Sequence, residues 1–171
     1  MKIIFILIYV SWMMAISGCD SKDGVSNSND TSLNPDVAAI TEGDWYRPTV
    51  LVTWQWQLVD SVNTSYSVEI YDVDLFDTPL STVQELQASG KKVVCYFSAG
   101  TYEDFREDKG HFLSEELGDT LNGWEDERWL DIRSSNVHTI MKFRLDLAKE
   151  KGCDGVEPDN MDGYTTIQVS I

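Results

Sequence analysis

Residues 81–100 read STVQELQASGKKVVCYFSAG, and this stretch decides the fold class. Ser81 to Ser89 has helical character and stops at Gly90, a helix-ending residue. Lys92 to Ser98 (KVVCYFS) is a largely apolar strand that runs into Ala99-Gly100. Upstream, Thr49 to Leu58 (TVLVTWQWQL) and Ser67 to Phe76 (SVEIYDVDLF) are β-branched and aromatic, and predict two earlier strands. Downstream, Gly100 to Trp124 reads as a long acidic loop with one or two helical turns, and Arg128 to Arg133 (RWLDIR) as a short fourth strand. Ser135 to Lys151 is the clearest helix, with Val137, Ile140, Met141, Leu145 and Ala148 at three- and four-residue spacing and Gly152 at its end. Asp154 to Pro158 (DGVEP) predicts a fifth strand. Repeated strand–helix units with strands apolar on both faces imply an α/β fold around a parallel sheet. A barrel and an open doubly wound sheet both fit that pattern. No glycine-rich phosphate fingerprint follows the first strand, which disfavours a dinucleotide fold.

Outside this core the chain begins with a processing signal. Lys2 precedes a nearly unbroken apolar run from Ile3 to Ile16, too short to span a bilayer permanently but suited to a signal segment. It ends in Ile16-Ser17-Gly18-Cys19, which resembles a bacterial lipobox, with cleavage before Cys19 and a lipid on its thiol. An ordinary signal peptide with an incidental cysteine is the alternative. Asp20 resembles an inner-membrane retention signal of enteric bacteria. Residues 1–18 therefore read as a lipoprotein signal peptide, 19–44 as a flexible Ser/Asn/Asp/Gly-rich tether, and 45–171 as the folded domain. The expected location is the bacterial cell envelope, lipid-anchored through Cys19. Of the other cysteines, Cys95 and Cys153 could be joined in an exported chain or remain buried thiols. No metal-ligand spacing is present, and His111 and His138 are isolated. A net charge of −16 leaves no basic stripe for phosphates, so the expectation is that nucleic acid is not a partner.

The acids gather where strands end. Asp72, Asp74 and Asp77 follow the second predicted strand, Asp131 lies in the fourth, and Glu157, Asp159 and Asp162 follow the fifth. In a (β/α) barrel the carboxyl ends of all strands converge on one face, which carries the active site. Carboxylates sharing a cleft raise each other's pKa, so that one stays protonated beside a charged neighbour, the pair that glycosidic cleavage needs. Trp54, Trp56, Tyr71, Tyr96, Trp129 and Tyr164 would offer flat faces to sugar rings, and Gln55, Gln57, Arg133 and Asn160 hydrogen bonds to hydroxyls. Other readings stand beside these. Asp159-Asn160 could only shape a turn, Asp77-Thr78-Pro79 looks like a helix start, and Asp131 with Arg133 could be a buried structural pair. An acidic cluster could hold Ca²⁺, but the spaced ligand loop is absent. A serine hydrolase would need a nucleophile elbow that the chain lacks.

Five ordered segments carry a resemblance: Trp54-Gln55-Trp56-Gln57-Leu58, Tyr71 to Asp77 (YDVDLFD), Cys95 to Glu103 (CYFSAGTYE), Trp129 to Ser134 (WLDIRS) and Gly152 to Tyr164 (GCDGVEPDNMDGY). Together they closely resemble glycoside hydrolase family 114, the endo-α-1,4-polygalactosaminidase family, from about Trp45 to Tyr164. The resemblance implies a (β/α)₈ TIM-barrel glycosidase that cleaves α-1,4-linked galactosamine polymers without a metal or organic cofactor. It carries a catalytic acid to Asp159 first and Glu157 second. The substrate-binding positions expected beside them are Trp54, Gln57, Asp72, Asp74, Tyr96, Ser98, Asp131, Arg133, Asn160, Asp162 and Tyr164. The partner acid it implies comes from an Asn-Glu-Gln segment on a later strand, which has no counterpart here. A full barrel takes roughly 200 to 250 residues, so the expectation is a barrel truncated after about five βα units and inactive alone. The polysaccharide partner would be a cationic amino-sugar polymer, drawn to a carboxylate-lined cleft. The competing expectation is a non-catalytic carbohydrate-binding envelope lipoprotein.

Overall fold

The computed structural model describes residues 41–163; the signal segment, Cys19 and Tyr164 lie outside them. From Asp44 onward the elements follow one another as strand β1 (Trp54–Gln57), β2 (Ile70–Asp74), helix α1 (Leu80–Ala88), β3 (Lys92–Ser98), β4 (Thr101–Glu103), β5 (Leu117–Leu121), β6 (Trp124–Leu130), α2 (Ser135–Lys151) and β7 (Gly155–Asp159). Two sheets result. The first is parallel, in the order β1-β2-β3-β7, and the second is a small antiparallel sheet in the order β4-β6-β5.

That division corrects the predicted strand count. Residues 128–133 do not form a fourth parallel strand; residues 128–130 end β6, which pairs antiparallel with β4 and β5. Among the described residues the parallel sheet therefore has four strands, not five. The stretch read as an acidic loop holds β4, β5, the start of β6 and two short 3-10 turns at Glu107–His111 and Ser114–Glu116.

Alternation along the parallel strands sorts their side chains onto two faces. Tyr71, Val73, Val93, Cys95 and Phe97 point one way and form the buried core with Val83 and Leu86 of α1 and Ala148 of α2. Trp56, Asp72, Asp74, Tyr96, Ser98, Glu157 and Asp159 occupy the alternate positions, so the chemistry-bearing residues share the face that the helices leave free. The core explains why Tyr71 is not a sugar platform: it is fully buried, and its hydroxyl donates to the Tyr66 carbonyl at 2.9 Å.

Helix α2 starts where Ser134 Oγ accepts from the backbone N–H groups of Asn136 and Val137, and ends at Gly152, whose φ of +76° is left-handed. Its buried face is Val137, Ile140, Arg144 and Ala148. Leu145, expected on that face, is 47% exposed, and Arg144 takes the inward position instead. At the end of α2, Lys151 Nζ donates to the carbonyls of Leu75, Phe76 and Thr78, fixing the loop beyond β2. Helix α1 begins after Pro79 without a side-chain cap, so Asp77 does not play the capping role its position suggested. Cys95 and Cys153, left open by the sequence, form a disulfide with Cα atoms 6.0 Å apart, tying β3 to the segment just past α2.

Candidate active site

The carboxyl ends of β1, β2, β3 and β7 lie at one end of the sheet because all four strands run parallel. Register makes the match explicit: Asp74 lies beside Tyr96, Tyr96 beside Glu157, and Ser98 beside Asp159. A cavity of about 460 Å³ opens there. Asp74, Tyr96 and Asp159 line it from the parallel sheet, and Glu103 and Glu127 from the small sheet.

Asp159 is the best-placed carboxylate. Its Oδ2 accepts from the Tyr96 hydroxyl at 2.8 Å and its Oδ1 from the Asn160 backbone N–H at 2.8 Å, so both oxygens are held in one orientation. The backbone beneath is fixed as well. The N–H groups of Ala99 and Gly100 donate to the Asp159 carbonyl at 2.9 and 3.1 Å. A side chain at Gly100 would bring a Cβ within 1.8 Å of the Asn160 carbonyl oxygen, so only glycine fits. Asn160 itself takes a left-handed φ of +59°, a conformation its short polar side chain tolerates. Its Nδ2 donates to Ser98 Oγ at 3.0 Å and to Thr101 Oγ1 at 3.1 Å. Thr101 in turn donates to Glu127 at 2.6 Å, and Ser98 Oγ hydrogen-bonds to Thr101. Ser98 is thus a buried support for the 159–160 turn. Burial first, then the hydrogen bond to Asp159 and the charges of Asp159, Glu103 and Glu127, push the Tyr96 hydroxyl far above its ordinary range. It therefore remains a donor at every working pH.

Asp74 is engaged rather than free. Arg106 grips its two oxygens at 3.0 and 2.6 Å, while the backbone N–H groups of Phe76 and Asp77 donate to Oδ1. Arg106 Nε also reaches Glu103 at 3.0 Å. Burial alone would lower the Arg106 pKa, but the bonds to Asp74 and Glu103 raise it further, so it stays cationic. Arg144 donates to the Ser98 carbonyl at 2.6 Å and to Asp108 at 2.8 and 3.0 Å, and meets Glu103 at 3.4 Å. The Glu103 carboxyl is raised by burial against the opposing pull of both arginines. These buried ion pairs fasten the small sheet to the carboxyl ends of β2 and β3.

One layer deeper on the same face, Asp72 and Glu157 form a second carboxylate pair reaching across β3. Asp72 Oδ1 and Glu157 Oε2 are buried without a hydrogen-bond donor from the protein. Burial, then the hydrogen bond to Glu157 and its charge, push the Asp72 carboxyl up to about 8. At neutral pH the Asp72 carboxyl therefore keeps its proton beside Glu157.

Several expected site residues lie elsewhere. Glu157 does not line the cavity, and Trp54 stands at the opposite end of β1 while Trp56 takes the cavity position. Gln57 lines the cavity, but its amide closes the following loop, donating to the carbonyls of Val59 and Ser61 and accepting from the Asn63 N–H. Asp131 and Arg133 are not a buried pair: they meet at 2.7 Å with side chains 27% and 57% exposed, outside the cavity lining. Trp129 is buried, its ring 2.9 Å from where a Gly163 Cβ would lie, and offers no open face. Asp162 is exposed outside the cavity lining. The sequence reading missed Arg106, Glu127 and Trp124, all from the stretch assigned to a loop or its edge. Among the described residues, no group of three or more His, Cys, Asp or Glu side chains is placed to hold a metal ion.

Comparison with known proteins bears on the family and the fold. The sequence model of the glycoside-hydrolase family GH114 matches residues 34–170. Among solved structures, the chain is similar to Ega3 of Aspergillus fumigatus in complex with galactosamine, with 49% identity and a TM-score of 0.70 over 73% of this chain and 52% of that one. It thus spans about half the length of that relative. It is also similar to the glycoside hydrolase domain of PelA from Pseudomonas aeruginosa, with 14% identity and a TM-score of 0.55 over 67% of this chain and 46% of that one, a likeness that speaks for the fold alone. No curated protein matches the chain.

Proposed function

The chain belongs to glycoside-hydrolase family GH114, and we propose that it serves the endo-hydrolysis of α-1,4-linked galactosamine polysaccharide, with Asp159 as a catalytic carboxylate. The observation that carries this reading is Asp159 itself: exposed in the cavity, at the carboxyl end of a parallel strand, with both oxygens oriented by Tyr96 and Asn160. Glycosidic cleavage uses one carboxyl group to protonate the leaving oxygen and another as nucleophile or base. An oriented, solvent-reachable carboxylate suits either role. Glu157, withdrawn beneath the cavity against Asp72, takes no catalytic part in this reading.

Charge supports the choice of substrate. Among the described residues, five carboxylates line the cavity (Asp74, Asp77, Glu103, Glu127 and Asp159) against one cation, Arg106. Arg106 is spent on Asp74 and Glu103, with Asp77 3.6 Å away, and the buried Glu127 accepts from Thr101, so the exposed carboxylates Asp77 and Asp159 are the ones that face a ligand. Galactosamine carries a protonated amine near neutral pH, and an acidic cavity concentrates it. Affinity should fall as salt rises.

The test is depolymerisation of α-1,4-galactosamine oligomers by the protein and by Asp159→Asn, and activity in the parent would also overturn the expectation of a chain inactive alone. The expected loss is on the order of 10³-fold, with Glu157→Gln far milder; an Asp159→Asn protein as active as the parent would overturn the assignment. Binding without cleavage by the parent chain would instead favour a non-catalytic carbohydrate-binding lipoprotein. We further propose that the protein is anchored in the bacterial envelope through a lipid on Cys19. Metabolic labelling with a palmitate analogue, lost in Cys19→Ser, is the outcome expected; equal labelling of both forms would exclude it.

A further inference from the structure

Two large aromatic side chains of the cavity expose more than half of their surface. Trp56 projects from β1 on the free face of the parallel sheet and is 55% exposed. Trp124 opens β6, immediately after the tight Asn122-Gly123 turn that leaves β5, and is 64% exposed. Both line the same cavity although they belong to different sheets. Phe105, a third aromatic on this lining, already has the Arg106 guanidinium 5.0 Å from its ring centre. Among the described residues no ring or cation stacks on either indole in the same way.

An indole face attracts two features of one ligand class. Its apolar breadth covers the flat C–H side of a pyranose ring, as the aromatic linings of small-molecule sites do. Its quadrupole attracts a cation within about 6 Å of the ring centre, and more strongly than Tyr or Phe. A sugar with a protonated amine offers both at once, and an N-acetylated sugar only the first. The surroundings match the cation: Asp77 and Asp159, both exposed, lie on the same lining. The cavity volume of about 460 Å³ falls in the range of small-ligand sites.

From this placement we propose that Trp56 and Trp124 form a two-sided aromatic clamp that grips a protonated amino-sugar residue of the polymer and discriminates against its N-acetylated form. The clamp rests on the galactosamine reading above and deepens it. It gives the small antiparallel sheet a purpose: the β5–β6 turn carries one jaw to the rim, while the first parallel strand carries the other. Trp124 is on this account a specificity-determining residue, distinct from the group that acts on the bond.

Calorimetric titration of the full chain with α-1,4-galactosamine oligomers and with their N-acetylated counterparts tests the clamp. Trp124→Ala and Trp56→Ala should each weaken binding of the deacetylated oligomer at least about tenfold, and Trp124→Phe should restore most of the loss, since a smaller ring keeps part of the attraction. The N-acetylated oligomer should bind the parent more weakly and respond less to either substitution. An unchanged thermal midpoint in the exposed-residue variants shows that folding is not the cause. Should Trp56→Ala and Trp124→Ala bind the deacetylated oligomer as the parent does, the clamp is refuted and the galactosamine reading survives. Should the parent bind both oligomers equally, the discrimination is refuted. Failure of the parent to bind either oligomer would remove both proposals together.

Discussion

Replacing Asp72 by Asn removes the proton that Asp72 keeps beside Glu157, and with it a pH dependence of stability built into the inner face of the sheet. In the folded protein the Asp72 carboxyl is pushed from 3.8 up to about 8, by burial and then by Glu157. Between these values the unfolded chain gives up the proton that the folded protein keeps. A raised folded-state pKa gives a stabilising contribution that is complete below about pH 4 and lost as pH rises towards 8. One proton difference is worth about 1.4 kcal/mol per pH unit at most. Allowing for residual solvent at the pair, about 1 kcal/mol per unit is expected, or roughly 2 kcal/mol between pH 5 and pH 7. The other titratable groups on this face are Lys92, Asp74, Tyr96 and Asp159, and Lys92 and Asp74 are tied to partners of their own, Asp154 and Arg106. The comparison of parent with variant therefore isolates Asp72. Urea unfolding at half-unit pH steps is the assay. The parent should lose stability across this window by about one proton more than Asp72→Asn, and the variant should be the more stable protein at pH 8. Parallel stability profiles for the two proteins would refute the raised Asp72 carboxyl.

Other consequences follow from single contacts. Reducing the Cys95–Cys153 disulfide, which closes a loop of sequence separation 58, should cost about 4 kcal/mol by chain entropy, read as a drop in the denaturation midpoint on adding dithiothreitol. Arg144→Ala strips Asp108 and the Ser98 carbonyl of their buried donor and leaves Glu103 to Arg106 alone, and should destabilise the protein by about 3 kcal/mol; a loss below about 1 kcal/mol would mean that the network is solvated. Gly100→Ala must push the Asn160 carbonyl aside, so the backbone amide signals of residues 159 and 160 should shift and activity should fall well before global stability does. Tyr96→Phe removes one of the two donors to Asp159, and its effect should appear in kcat and its pH profile with KM nearly unchanged.

Much of the parallel sheet was legible because its signals are local. Gly90 and Gly152 both adopt left-handed φ where they end their helices, and apolar stretches on β2 and β3 mark strands buried on both sides. Gathering Asp74 and Asp159 at one end followed from parallel direction alone. The small sheet was hidden for a physical reason. The buried positions of β6 include Glu127, and those of β4 include Thr101 and Glu103, so the inward side is charged and the apolar alternation that announces a strand is absent. Asn122-Gly123 was the one strong hairpin signal available there, a dipeptide favoured in two-residue turns, and it marks where β5 turns into β6. Arg144 shows the same limit within a helix. Its position on the buried face of α2 is periodic, but a guanidinium counts as polar in any hydropathy pattern and is buried only because Ser98, Glu103 and Asp108 satisfy it. The roles of Glu157 and Asp131 turned on which side of a strand each faces and how far each element extends, and spacing alone fixes neither.

The most direct measurement is a map of backbone amide shifts on the labelled protein as a short α-1,4-galactosamine oligomer is titrated in. Shifts should concentrate at the carboxyl ends of β1, β2, β3 and β7 and on the β5–β6 turn, centred on Asp159, and leave Asp131 and Arg133 untouched. A map centred on the outer helices or the amino ends of the strands, with Asp159 silent, would contradict the account.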